Sequence, residues 1–259
     1  MSALRGAFER AGMTVRVLAL CLGYFLRKPR LGTTLALMFE GGLKSLPVVS
    51  VVALFSGMII SLQTGIEMAR FGQQELIGAL VAQTFAREFG PFMTCIILVG
   101  TVVSAYAAEI GTMTVSEETA ALEVLSIDPI GYLVAPRVLA LTVMTFFLTV
   151  CADVIGIVGG AIVAAAQLDT PFDRFFDRAL STLSGRDWGF LPKDVYAGLF
   201  KAAFTGFVIA GVGCAQGLCA QGGALGVGRS VRRAVIASIV LILVISYDLT
   251  WLAYRAFRS

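Results

Sequence analysis

The stretch that decides the fold is Ser45–Ile66, which reads SLPVVSVVALFSGMIISLQTGI and contains no ionisable side chain. An α-helix rises about 1.5 Å per residue, so about twenty apolar residues cross the bilayer's hydrocarbon core of about 30 Å. A run of this length without charge is typical of a transmembrane helix. We therefore predict that Ser45–Ile66 spans a membrane.

The composition of the whole chain agrees with that prediction. Of its 259 residues, 58% are hydrophobic and only 14% are charged. Soluble domains are about 45–50% apolar and about 25% charged, so a soluble protein of this size could not bury so much apolar surface. The 28 glycines fit a bundle in which helices approach one another closely. We predict an all-α integral membrane protein.

Further apolar runs extend the pattern along the chain. The sequence before the first span, residues 1–45, carries a short uncharged run between basic residues and no cleavage site. It predicts an amphipathic helix lying in the membrane interface. Residues 46–259 form one transmembrane domain without an internal repeat. Its other predicted spans are Leu76–Ala108, Val138–Leu168, about Val195–Gln216 and about Ala234–Tyr254.

The orientation follows from the basic residues, which cluster in the first 45 positions. Lys and Arg are retained on the cytoplasmic side, so we predict a cytoplasmic N-terminus. With five spans, the polar segment at about 169–194 then lies outside, and the acidic segment after the second span lies in the cytoplasm.

Several function classes find no support in the sequence. There is no histidine, the five cysteines are an odd number, and a small positive charge does not indicate nucleic-acid binding. We expect reduced cysteines, no metal site and no catalytic set. Gly223–Ser230 resembles a phosphate-binding loop, but Arg229 replaces the lysine and an apolar span precedes it. We interpret that segment as a basic hairpin that faces anionic headgroups.

The acidic segment Ala107–Pro129 reads AAEIGTMTVSEETAALEVLSIDP. Thr114 and Glu117 have the spacing of a capping box, and Pro129 cannot continue a helix. We predict a short helix within about 112–128. Such a helix is marginal by itself, so it either docks on a partner or is an interfacial loop helix without one.

Four charges fall inside the apolar runs: Arg87, Glu88, Asp153 and Lys201. Each costs about 2.5–3.5 kcal/mol to insert, so each needs a reason. Arg87 and Glu88 could neutralise each other or face a cavity. The set is either a structural interhelical ion pair or a polar path or headgroup site. Nearby, the glycines of Gly156–Gly160 predict close helix packing.

Three motifs together resemble the MlaE/YrbE family. They are REFGPFMTCIILVGTVVSAYAAEIGTM from Arg87, EETAALEVLSIDPIGYLVAPRVLA from Glu117 and GGALGVGRSVRRAVIASIVLIL from Gly222. The likeness extends from about Pro47 to Thr250. Members of the family are permease subunits of ABC transporters that move phospholipids or related lipids across the cell envelope.

The resemblance implies a fold of one interfacial helix and five transmembrane helices, in a multi-pass protein of the bacterial inner membrane. It implies a homodimer or a pair of like permeases, with cytoplasmic ATPase subunits below and a periplasmic MCE-domain protein above. ATP and Mg²⁺ belong to the ATPase, phospholipid is the substrate, and the permease itself is not an enzyme. The system serves outer-membrane lipid homeostasis.

The resemblance also implies roles for residues. The acidic helix matches the family's coupling helix, which rests in a groove of the ATPase. Arg87, Glu88 and Lys201 match charged positions near the lipid cavity, and we group Asp153 with them as a charge network. The coupling contacts are then Glu117, Glu118, Leu122, Glu123 and Leu125.

Three positions depart from the family pattern: Thr101 replaces a frequent arginine, Ala120 a frequent aspartate, and Ser246 an acidic residue of some relatives. Transport direction and lipid headgroup stay open. Two alternatives also remain. One is an ion-coupled secondary transporter or channel that uses the intramembrane charges, although no inverted repeat supports it. The other is a membrane scaffold.

Overall fold

A computed structural model of the chain describes residues 2–27, 30–168, 170–184 and 193–256. Within these ranges the regular secondary structure is helical, as predicted, and contains no strand. The α-helices are α1 (Ser2–Arg27), α2 (Leu31–Leu37), α3 (Lys44–Arg70), α4 (Ile77–Thr84), α5 (Gly90–Leu98), α6 (Ser104–Val115), α7 (Glu118–Val124), α8 (Ala135–Gln167), α9 (Phe172–Leu183), α10 (Lys193–Leu218) and α11 (Gly223–Ala256).

Short wider turns join several of these helices without a break. A π-helical turn places one extra residue in the helix, which shifts the faces before and after it and often marks a functional site. One turn is tighter rather than wider: Gln74–Leu76 forms a short 3₁₀ helix before α4. The π-helical turns are Met38–Leu43, Phe85–Phe89, Val99–Val103 and Ile130–Val134.

Five helical stretches are long and apolar enough to cross a membrane, which confirms the predicted number of spans. Each stretch is longer than the predicted span, because helical turns continue beyond the apolar centre. The first stretch begins at Leu31, so residues 31–45 continue into the first span. The stretches are Leu31–Arg70, Gln74–Val115, Ile130–Gln167, Asp194–Leu218 and Gly223–Ala253.

The basic hairpin predicted around Gly223–Ser230 is wrong. Gly222 and Gly223 take positive φ angles of 88° and 68°, and α11 begins at Gly223 directly after this turn. Arg229 then bonds to a carbonyl one helical turn back, with 3.3 Å between its Nε and Leu225 O. The glycines therefore serve a tight turn that starts a helix.

The chain divides into two compact units. Unit 1 consists of Met1–Ser45, Ile96–Met144 and Ala203–Asp248. Unit 2 consists of Leu46–Cys95, Thr145–Ala202 and Leu249–Ser259.

In unit 1, helix α1 packs against the interior of α10 and contacts the segment that follows α7. The rings of Phe25 and Phe207 meet edge to face with centroids 6.0 Å apart. The Tyr24 hydroxyl donates a hydrogen bond to the Asp128 carboxylate just after α7. Gly211 of α10 leaves room for Leu18, because a Cβ there would overlap that side chain. The α1 helix is thus packed against the chain.

Unit 2 contains an apolar core between α4, α8 and α9. Phe85 and Phe175 are its largest fully buried side chains. Helices α3 and α8 approach closely, since a Cβ on Gly57 would overlap the carbonyl of Gly156 and Ser61 Oγ donates to Gly160 O at 2.8 Å. The close packing predicted for these glycines is confirmed.

The predicted outer segment at about 169–194 contains helix α9. Phe175 of α9 is buried, whereas Arg178 points outward and pairs with Glu75 at 2.8 Å. Asp169 and residues 185–192 of that segment lie outside the described residues.

Candidate functional site

Unit 2 brings three polar side chains from three helical segments into one hydrogen-bonded triangle. Lys201 Nζ of α10 lies 2.7 Å from Glu88 Oε1 and donates to Thr250 Oγ1 of α11 at 2.7 Å. The Thr250 hydroxyl in turn donates to Glu88 Oε1 at 2.7 Å. A hydroxyl can accept from an ammonium and donate to a carboxylate at once, so all three groups are matched.

The members of this triangle differ in burial: Lys201 is buried and Glu88 is partly exposed. The Lys201 side chain is 5% exposed, whereas that of Glu88 is 41% exposed. A lysine this deep must be paired, because an isolated buried charge is far less stable than one in water. The Glu88 carboxylate keeps an accessible face that can accept further hydrogen bonds.

The π-helical turn Phe85–Phe89 carries Arg87 and Glu88 and directs both side chains toward α10. Phe85 of this turn is buried in the unit 2 core, while Arg87 and Glu88 reach toward α10. The Arg87 carbonyl also accepts from Lys201 Nζ at 3.3 Å. Backbone and side chain of one turn therefore both hold the lysine.

Of the two alternatives for Arg87 and Glu88, the structure does not show mutual neutralisation, because each side chain pairs with a residue of α10. Arg87 Nε lies 2.7 Å from Asp194 Oδ1, and Gln83 Nε2 donates to Asp194 Oδ2 at 3.3 Å. Asp194 and Lys201 are two helical turns apart on α10, so one face of that helix offers both signs of charge to the turn. The Arg87 side chain remains 42% exposed.

Asp153 stands apart from these contacts. Its side chain is buried in α8, and within the described part of the chain its Oδ1 has no hydrogen-bond partner. It packs against Gly90, where a Cβ would overlap that oxygen. The structure therefore brings Arg87, Glu88 and Lys201 together but leaves Asp153 outside the triangle.

Sequence reasoning missed Asp194 and Thr250. Asp194 begins the fourth span, where an acidic residue in the first helical turn is an ordinary feature. A threonine in an apolar helix usually bonds back to its own backbone, so Thr250 gave no signal of an interhelical contact. Only the spacing of seven residues between Asp194 and Lys201 hinted at a shared face.

The acidic segment of unit 1 forms helix α7, as predicted, but its start and length differ from the prediction. The capping box is wrong, because Thr114 Oγ1 donates to Ile110 O inside α6 at 2.8 Å. Glu117 instead takes a left-handed φ of 63° and precedes a helix of seven residues. Ser116 Oγ donates to Glu118 Oε1 at 2.9 Å in the turn between the helices.

The end of α7 is set before Pro129 is reached. Ser126 takes a φ of 59°, Ser126 N donates to Glu123 O and Ile127 N donates to Leu122 O, both at 2.9 Å. This is the Schellman arrangement, which satisfies the last carbonyls of a helix. Asp128 then accepts from the amide of Ile130 at 3.2 Å and starts the next helix.

The surface of α7 combines apolar and acidic side chains. Val124 is 84% exposed and Leu125 is 68% exposed, whereas Leu122 is half-buried. Glu117, Glu118 and Glu123 are exposed around them. Leu125 was among the predicted contacts and is exposed, whereas the predicted contact Leu122 is half-buried; Val124 was not among them and is the most exposed of the three.

Metal and redox chemistry find no assembled site in the residues that the structure describes. No cluster of potential ligands is present among them, and all five cysteines are free thiols.

Comparisons with known proteins agree on one family. The family model described as Permease MlaE matches residues 34–252. A Rickettsia prowazekii protein named "Probable ABC transporter permease protein" is 38% identical over 83% of this chain and 80% of its own length. A Synechocystis protein with the same description is 36% identical over 86% and 82%. The Arabidopsis thaliana protein named TRIGALACTOSYLDIACYLGLYCEROL 1, chloroplastic, is 36% identical over 84% of this chain and 60% of its own length.

Proposed function

This chain belongs to the MlaE permease family, and from that premise we propose that it is the membrane-spanning subunit of an ABC transporter for phospholipid. It works as a homodimer or with a like permease in a bacterial inner membrane, with the N-terminus in the cytoplasm. Cytoplasmic ATPase subunits hold ATP and Mg²⁺, and a periplasmic MCE-domain protein exchanges lipid with the permease. The assembly maintains the lipids of the outer membrane.

The observation that carries this proposal is the exposed apolar pair Val124–Leu125 at the end of α7. Burying one such side chain in a partner's groove contributes about 1.5–3 kcal/mol. The acidic side chains around the pair complement a basic rim and steer the encounter. A seven-residue helix gains its stability from such contacts, since it is too short to be stable by propensity alone.

The half-exposed charges of unit 2 support lipid as the substrate. Arg87 and Glu88 lie in a predicted span, yet their side chains are 42% and 41% exposed. Charges at such a depth usually face a polar cavity or a ligand. The guanidinium can bind a lipid phosphate, and the carboxylate can accept from headgroup donors. The name of the plant relative contains that of a galactolipid, which is a lipid but not a phospholipid, so it supports lipid as the broad class of substrate.

The coupling role is tested with the intact membrane protein. Val124→Asp combined with Leu125→Asp should abolish co-purification of the ATPase, because charged groups replace the apolar contact, while the protein still inserts and elutes as a single species. Leu180→Asp on α9 is the matched control, since Leu180 is also exposed, at 59%, but lies on another helix. Unchanged ATPase recovery with the double variant would overturn the coupling role.

The substrate is tested on the purified complex. Phospholipid should be found in it by mass spectrometry, and ATP should drive transfer of phospholipid between vesicles and the carrier protein. Lys201→Ala should impair transfer more than assembly. A complex that carries no lipid and transfers none would contradict the substrate assignment.

One observation favours a second function, an ion-coupled secondary transporter. Asp153 is a buried carboxyl group with an oxygen that has no partner in the described residues, as in some proton carriers. That function predicts transport that a pH gradient drives without ATP and that Asp153→Asn abolishes. Transport that needs ATP and ignores the gradient would reject it.

A further inference from the structure

A cavity of about 280 Å³ lies in unit 1 beside the helices that lead into the first span. It belongs to neither the Lys201 triangle nor the α7 surface. Pockets for whole small ligands hold about 300–1,000 Å³, so this volume suits one polar headgroup better than an entire lipid. The polar residues that line it are Glu40, Lys44, Ser45, Thr101, Tyr106 and Glu109.

The helix geometry explains why the cavity exists. Two π-helical turns, Met38–Leu43 and Val99–Val103, contribute to its walls. Gly41 packs against Val102, since a Cβ there would lie 3.1 Å from Val102 Cγ1. Ser45 Oγ and Thr101 Oγ1 are 3.2 Å apart and join the two walls by a hydrogen bond. The short side chain of Thr101 leaves the volume open.

The cavity offers opposite charges in balanced pairs. Lys44 Nζ lies 3.0 Å from Glu40 Oε1, and both side chains are mostly exposed. Glu109 Oε2 lies 3.0 Å from Nη2 of Arg137, whose side chain is only 10% exposed. A ligand with a net negative charge would meet two carboxylates. A zwitterion can place its phosphate at Lys44 and its ammonium near Glu40 and Glu109, so each charge meets its opposite.

The depth of the cavity matches that of lipid headgroups. The first two spanning stretches contain 40 and 42 residues. At about 1.5 Å per residue each is about 60 Å long, twice the hydrocarbon thickness of about 30 Å. When the hydrocarbon is centred on each stretch, Glu40 lies at its edge and Glu109 lies about 7 Å beyond the edge, both within the headgroup layer. Phe39 and Leu43, exposed at 65% and 52%, continue the surface as apolar residues.

We propose that this cavity binds the zwitterionic headgroup, a phosphate with an amine, of one phospholipid whose acyl chains run along the exposed apolar residues beside it. The inference rests on the proposed lipid transport and adds a second lipid position with its own headgroup preference. Occupation of the cavity selects phosphatidylethanolamine-type lipids over anionic ones.

The test measures lipid retention by the full-length protein. The protein is placed in nanodiscs with equal amounts of phosphatidylethanolamine and phosphatidylglycerol, washed in detergent, and its retained lipids are counted by mass spectrometry. The wild type should retain phosphatidylethanolamine in about tenfold excess. Thr101→Arg should remove that excess, because the longer side chain fills the volume and brings its cation to Glu40 and Glu109. Thr101→Ser keeps the hydroxyl and should behave as the wild type.

A second pair of variants keeps the test decisive if Thr101→Arg does not fold. Glu40→Gln removes a carboxylate of the cavity, whereas Glu67→Gln removes one from an exposed pair with Arg70 elsewhere in the chain. The first should lower the preference for phosphatidylethanolamine and the second should not. Equal retention of both lipids by the wild type, or an unchanged preference in Glu40→Gln and in folded Thr101→Arg, would overturn the proposal. A variant that changes the oligomeric state but not lipid retention would also overturn it, since a partner protomer would then fill the cavity.

The failure of this site and that of the proposed function give different results. If the wild-type complex transfers lipid under ATP but shows no headgroup preference that these variants alter, only the cavity proposal fails. If the protein retains phosphatidylethanolamine selectively but the complex transfers no lipid, the transport function fails.

Discussion

The Lys201 triangle and the surface of α7 differ in how their charged side chains are satisfied. Lys201, Glu88 and Thr250 satisfy one another inside a bundle of apolar helices. Glu117, just before α7, and Glu123 within it are exposed, and exposed apolar side chains lie beside Glu123. The first region forms its hydrogen bonds within the chain. The second leaves apolar and acidic side chains exposed next to one another.

The difference follows from the surroundings of each region. Away from water, an unmatched charge is so unfavourable that the helices must bring its partner to it. In an aqueous loop, water satisfies the carboxylates, and they stay available to another protein. A buried charge is therefore expected to stabilise the fold through a partner within the chain. An exposed charge beside exposed apolar side chains is the pattern expected of a protein interface.

The largest loss of thermal stability is expected from a substitution at Lys201, and it tests whether the buried charge depends on its partners. Lys201→Met removes an ammonium that donates to Glu88, Thr250 and the Arg87 carbonyl. Each hydrogen bond to a charged group contributes about 1.5–3 kcal/mol, and solvent access to Glu88 offsets part of the loss. The midpoint of thermal unfolding in detergent should fall clearly, and lipid transfer should be lost.

Lys44→Met is the control for this change. Lys44 also pairs with a glutamate, at 3.0 Å, but its side chain is 68% exposed. Exposed pairs contribute about 0–1 kcal/mol, so the unfolding midpoint should hardly move. Equal losses in the two variants would mean that burial does not distinguish the two ion pairs.

A smaller effect is expected on ATPase binding from Glu123→Lys in α7. A lysine near a helix C-terminus suits the helix dipole, so the protein's own stability should not decrease. Association with the purified ATPase should slow about tenfold at low salt and recover at high salt, because steering charges are screened there. Asp173→Lys on α9 should leave the rate unchanged; a salt-independent loss would instead indicate a damaged helix.

A substitution at Thr250 tests whether the hydroxyl in the buried triangle contributes to stability. Thr250→Val keeps the shape but removes a hydroxyl that accepts from Lys201 and donates to Glu88. Loss of hydrogen bonds to charged groups costs about 1.5–3 kcal/mol. Thr250→Ser should restore most of the thermal stability. The idea of a closed triangle fails if valine and serine behave alike.

The smallest effect concerns the turn before α7. Glu117 has a φ of 63°, which a residue with a Cβ adopts at a cost of about 1–2 kcal/mol. Glu117→Gly should therefore leave the unfolding midpoint unchanged or raise it slightly, despite the loss of an acidic side chain. Glu118→Gly, inside the helix, should lower the free energy of unfolding by about 0.5–1 kcal/mol and so lower the midpoint. A lower midpoint for Glu117→Gly would show that the carboxylate, not the backbone, matters there.

Several features could be predicted from residues alone because each depends on local composition. The run Ser45–Ile66 has no charge to keep it in water, so its crossing of the membrane follows directly. The short helix between Thr114 and Pro129 follows from its helix-forming residues, although its start does not. Thr114 satisfied a carbonyl of α6, and the left-handed turn at Glu117 replaced the expected cap.

The pairing of the charges could not be predicted in the same way. Arg87 and Glu88 are neighbours in sequence, yet the π-helical turn and the face of α10 give them separate partners. The cavity beside Thr101 depends on two such turns meeting, and neither turn has a pattern of its own in the sequence.

By itself, the sequence determined that this protein lies in a membrane with five helical crossings and an acidic helix between two of them. The reason is that transfer of each segment between water and lipid depends on that segment's own side chains. Only the tertiary structure decided which charge meets which, where a helix widens and which side chains of α7 remain uncovered. Those outcomes depend on angular positions around packed helices, where one extra residue in a turn moves a side chain from one neighbour to another.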